Sequence, residues 1–141
     1  MFLVLSMLIS SCNFSSEMVN EIYVAYQNNK KNENHQNVDM VLAKYIYAGM
    51  ETKSALRLLS DQGFDITEHT KLGYRNYPTG SLRPYADDDA DKRVAKNLAP
   101  ADIAYIARRA KGMEWFTSNI IISFKSKNNQ VIHTKAYVSV D

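Results

Sequence analysis

Cysteine occurs once in the 141 residues, at Cys12, which excludes an internal disulfide framework and a cysteine-clustered zinc site. Five glycines and three prolines exclude collagen-like and proline-rich low-complexity chains. Charge of one sign is also scarce. Seventeen Lys and Arg against fifteen Asp and Glu leave a formal +2, far short of the dense basic surface that DNA or RNA requires, so no nucleic-acid partner is expected. The sustained apolar run Met1–Ile9 is too short to cross a bilayer as a helix. Against these absences stand 45% hydrophobic and 23% charged residues, which exclude global disorder and fit one domain with one core.

The apolar run has the length of a secretory h-region. It leads into Ile9-Ser10-Ser11-Cys12, which resembles the bacterial lipobox: an aliphatic residue, two small residues, then the cysteine that becomes the lipidated first residue. The resemblance implies a signal peptide over 1–11, a diacylglyceryl thioether on Cys12, a further acyl chain on its amino group, and a lipidated tether over 12–16. Two or three chains anchor stably where one does not. The membrane would then be contacted through the acyl chains on Cys12. Asn13, in place of the aspartate of inner-membrane retention signals, directs the expectation to the outer membrane, facing the periplasm. One departure is that no Lys or Arg precedes the apolar run. The competing reading makes the run a buried helix or strand with Cys12 as an ordinary core thiol.

Beyond the tether, residues 17–141 read as a single α+β domain, with N-terminal helices packed on a small antiparallel sheet that ends in a C-terminal β-hairpin. Met18, Ile22, Ala25 and Tyr26 share one face of a helix expected over about 16–28, and the polar stretch 27–37 is a solvated connection. Val38, Val41, Leu42, Tyr45 and Ile46 give a second helix. A third runs over 50–59 and is closed by Gly63 as a C′ residue. Phe64 and Ile66 begin a strand. The stretch 71–91 reads as a long irregular loop and therefore as a functional candidate. Pro100 and Asp102 at one end, and Arg108, Arg109 and Lys111 before Gly112 at the other, predict a fourth helix with Ile103, Ile106, Ala107 and Ala110 on its apolar face. Alternation over 120–124 and 132–140 predicts the hairpin. Parity requires an odd-length loop, since a two-residue Asn128-Asn129 turn would oppose the two apolar faces. Trp115 and Phe116 are expected at a strand edge or core corner.

The run Tyr47-Ala48-Gly49-Met50, a short helix ending in Leu58-Leu59, and Gly63-Phe64 before a strand resembles a unit of small outer-membrane-assembly lipoproteins and β-lactamase-inhibitor-like domains. The likeness covers about twenty residues plus the hairpin's position, and it implies helices followed by an antiparallel sheet. The segment 78–112 departs from that plan, so no partner contacts are carried over. Capping by Gly49 and Gly63 explains the same residues without the family.

Constellations for chemistry are sparse. Asp87, Asp89 and Asp91 open like a calcium loop, but Lys92 replaces the turn glycine and Leu98 the bidentate glutamate. His35, His69 and His133 are far apart in sequence, Ser54 and Ser60 lack a nucleophile elbow, and Glu51, Asp61 and Glu68 read as surface carboxylates. No cofactor, metal or catalytic residue is expected. The segment that stands out is Tyr74-Arg75-Asn76-Tyr77-Pro78 with Arg83-Pro84-Tyr85, because tyrosine and arginine dominate interface hot spots. Tyr74, Arg75, Tyr77, Arg83 and Tyr85 are the candidate partner-binding residues, and the alternative is that the tyrosines lie as amphipathic lids over the core. The functional expectation is a non-catalytic binding or assembly module at the envelope with a protein partner. An inhibitor or immunity lipoprotein acting on a toxin or hydrolase comes second, and an envelope hydrolase third.

Overall fold

The computed structural model describes residues 17–32, 36–86, 97–111 and 118–140. Cys12, His35, Asp87, Asp89, Asp91, Trp115 and Phe116 lie outside them. Three helices, α1 (Glu17–Asn32), α2 (Gln36–Ala43) and α3 (Thr52–Asp61), precede five strands, β1 (Asp65–Thr70), β2 (Gly73–Tyr77), β3 (Ile103–Lys111), β4 (Ser118–Lys127) and β5 (Gln130–Val140). The strands form one antiparallel sheet in the order β2-β1-β3-β4-β5. This is the expected α+β arrangement of N-terminal helices, antiparallel sheet and closing hairpin.

Helical spacing puts Met18, Val19, Ile22 and Ala25 of α1 into the core with Val38 and Leu42 of α2. The chain leaves α2 through a turn in which Ile46 N donates to Leu42 O at 2.9 Å, which brings Ile46 into the same core. α3 buries Thr52, Ala55, Leu56 and Leu59. It ends in a Schellman motif. Phe64 N donates to Leu59 O at 3.0 Å and Gly63 N to Ser60 O at 3.0 Å, with Gly63 at φ +79°, where a side chain would be strained. Phe64 is thereby delivered to the core just ahead of β1.

The sheet's inner face carries Ile66, Tyr105, Ala107, Ile120, Ile122, Phe124 and Ala136 into the core shared with the helices. Residues 49–52 run along the start of β5: Gly49 N donates to Val131 O, Val131 N to Met50 O, and Thr52 N to Asn129 O, at 2.7, 2.8 and 2.9 Å. Thr52 Oγ1 also lies 2.6 Å from Ser126 Oγ in a buried contact that pins the start of α3 to β4. Asp39 of α2 accepts from Ala136 N at 3.1 Å farther along β5.

Four expectations are corrected. The stretch 27–37 expected as a connection is helical over 27–32, as the end of α1, and again from Gln36, where α2 starts. The segment expected as a fourth helix is strand β3, hydrogen-bonded to β1 on one side and β4 on the other. Its alanines favour a helix weakly, whereas a strand here satisfies its backbone with two neighbours and buries Tyr105 and Ala107 on one face. The expected long loop begins with β2, which pairs along its length with β1. The final hairpin turns through two residues, Asn128 and Asn129, at φ 52° and 63°. Even positions still face even positions, as parity demanded, because the register shifts between Lys125 and Ser126: Ser126 opposes Val131, whereas Lys125 opposes His133. The extra residue, Ile132, does the work that an odd loop was expected to do.

Candidate functional site

The site is built on the β1–β2 hairpin. Its turn is Lys71-Leu72, stitched by Thr70, whose Oγ1 donates to Gly73 O at 3.2 Å and accepts from Leu72 N at 3.2 Å. Leu72 stands 76% exposed at the tip. After β2 the chain reverses, and Arg83 returns to pair with Tyr74 through two backbone hydrogen bonds of 3.0 and 2.8 Å. Residues 83–85 thus run beside β2. Two glycines allow this close return. A Cβ on Gly73 would sit 2.2 Å from Arg83 O, and one on Gly80 would sit 2.6 Å from Asn76 O.

Alternation along the strands sends the five candidate residues to different places. Tyr74 and Tyr85 meet on the face turned away from the helices, where His69, opposite Tyr74 in register, joins them. The His69 ring stacks on Tyr74 and Tyr85 with centroids 5.8 and 6.4 Å away. The Tyr85 hydroxyl lies 3.1 Å from Thr70 O, 3.2 Å from Gly73 O and 3.4 Å from His69 Nδ1, so it ties segment 83–85 to the hairpin turn. Burial first, and the charge of Arg108 second, lower the pKa of His69 below its ordinary 6.5.

Arg75 and Tyr77 face the core side. Arg75 Nε and Nη2 donate to Glu68 Oε2 and Oε1 at 3.0 and 3.2 Å, a fork across the hairpin. Glu68 is 5% exposed, which corrects its reading as a surface carboxylate. It is sustained there because both oxygens are taken by a guanidinium. Tyr77 meets Tyr105 edge-on at 6.1 Å, and Tyr105 stacks on Phe124 at 4.9 Å. Burial, with Glu68 and Tyr77 nearby, pushes the Tyr105 hydroxyl up to about 12. Tyr77 therefore acts as the lid over the core that the alternative reading described, and Tyr74 and Tyr85 do not.

Arg83 stands opposite Tyr74 in register. With Tyr74, Arg75, Asn76, Gly80 and Ser81 it lines a cavity of about 170 Å³ at the sheet edge. Leu82, beside it in the chain, is 50% exposed. The edge therefore presents two exposed leucines, an aromatic stack and a cation on a hydrogen-bonded hairpin and the segment that returns beside it, an arrangement suited to binding. Among the described residues no group of three His, Cys, Asp or Glu converges on a metal-sized space, and no helix is long and apolar enough to cross a membrane.

His69 and Glu68 take part in the site, although the sequence alone offers one as an isolated histidine and the other as a surface carboxylate. The signal for them lies in the pairing. Around a two-residue turn at Lys71-Leu72, Glu68 meets Arg75, His69 meets Tyr74 and Ile66 meets Tyr77, each pair complementary in charge or shape. Comparison with known proteins finds no matching family model, curated protein or solved structure.

Proposed function

We propose that this protein is an envelope lipoprotein, held by acyl chains on Cys12 at the periplasmic side of the outer membrane, that binds a protein partner without catalysis through the β2 edge. The observation carrying the binding role is the gathering of Tyr74, Arg83, Tyr85 and the exposed Leu72 and Leu82 on one braced hairpin. The anchor rests on the lipobox residues. An assembly module and an inhibitor or immunity lipoprotein would use the same surface and differ in what it meets.

The experiment has two arms in the native host. Cys12→Ser should shift the protein from the membrane to the soluble fraction and abolish acyl labelling; unchanged membrane association refutes the anchor. The tethered wild type, crosslinked and purified from its own envelope, should enrich one partner, and the double variant Leu82→Asp, Arg83→Ala should lower that enrichment by about 10-fold or more, as expected for hot-spot residues. Undiminished enrichment refutes the β2 edge. An abundant envelope protein as partner identifies the assembly role, and a toxin or hydrolase the inhibitory one.

A further inference from the structure

The cavity at the β2 edge has the dimensions and chemistry of a site for a single small group. At about 170 Å³ it falls well below the roughly 300–1,000 Å³ of pockets that enclose whole small molecules, yet it has room for several waters at about 30 Å³ each. Its lining is mostly polar, made by Arg75, Asn76, Gly80, Ser81 and Arg83 with Tyr74 as the one aromatic. Among the described residues the Arg83 guanidinium has neither an ion pair nor a hydrogen bond, in contrast to Arg75, which is held by Glu68.

Charge decides which anion fits. The fork at 3.0 and 3.2 Å neutralises Arg75 with Glu68, so the wall offers a net single positive charge, on Arg83. A monoanion balances it, whereas a phosphate dianion would stay partly uncompensated. The guanidinium is a planar fork whose donors match the two oxygens of a carboxylate. We infer that the cavity lined by Asn76, Gly80, Ser81 and Arg83 is a carboxylate-binding site that receives an acidic side chain or the chain-terminal carboxylate of the protein partner. Ownership of that carboxylate by a partner rests on the binding role proposed above; the site itself does not.

The test uses the full chain in a neutral detergent, labelled with ¹⁵N, with the Arg83 Nε–Hε and the Gly80 and Ser81 amides observed by NMR. Acetate at constant ionic strength should shift these signals saturably, and phosphate and chloride should each need at least about 10-fold higher concentration. Arg83→Gln should raise the acetate midpoint by a similar factor, while unchanged Tyr74 and Gly73 amide positions show the edge intact. Two blocked peptides then distinguish the sources: one carries a carboxylate only on a glutamate side chain, the other only at its C-terminus, and saturable binding of either supports the site. Shifts that rise linearly without saturation, phosphate binding tighter than acetate, or an unchanged midpoint in Arg83→Gln overturns it. The outcomes separate from those above, because partner capture can depend on Leu82 when acetate does not bind, and acetate can bind when no partner is captured.

Discussion

Glu68 and His69 are adjacent in the chain and face opposite sides of the sheet, and each is placed by the residue across from it on β2. His69 has the clearest solution signature. Its pKa is lowered in the fold by burial and by Arg108, so below the ordinary value of 6.5 the unfolded chain binds a proton that the folded chain resists. Stability therefore rises with pH through this window: the contribution is fully present above pH 6.5 and is lost as pH falls through the folded value. In urea titrations at successive pH values, His69→Phe, which retains the stacking, should show a shallower loss of stability below pH 6.5 than the wild type; parallel curves would contradict the assignment. The tyrosines and arginines of the site were legible as residue types. Their division between two faces was not, because it depends on recognising β2 as a strand and on the parity of its pairing.

At the scale of elements, α1, α2 and α3 were legible because their apolar residues recur at helical spacing and meet one core. The misreadings of residues 103–111 and of the closing turn fall where partners elsewhere in the chain decide. Residues 103–111 carry both a helical and an alternating pattern, and the choice between them is made by β1 and β4. The β4–β5 hairpin was legible in its facing but not in its turn, since a bulge and an odd loop have the same effect on parity. The two-residue turn carries its own prediction. Asn129 holds φ at 63°, which costs an ordinary side chain roughly 1–2 kcal/mol, less for asparagine and almost nothing for glycine. Asn129→Ala should lower stability in chemical denaturation by about 1 kcal/mol and Asn129→Gly should not. Equal losses would remove the left-handed turn from the account.

For the whole molecule, the core is where helices and sheet depend on one another, and Phe124 stands at its centre, 1% exposed and stacked on Tyr105. Phe124→Ala should cost about 3–5 kcal/mol by urea denaturation, the range for removing a large aromatic from a packed interior. A loss under about 1 kcal/mol would mean that the helices and sheet are not closed over one another as described. The α+β class was legible in the order of the patterns, helical first and alternating last, although neither the strand order nor the cavity at the sheet edge could be read without the register. The clasp of residues 49–52 on the start of β5, and the Asp39 carboxylate on Ala136 N, also have a consequence for solubility. An edge strand left bare is a template on which another chain can add a strand and begin a fibre. Here the molecule lays its own turn and a negative charge along that margin, so lateral growth of the sheet from β5 is opposed at both places.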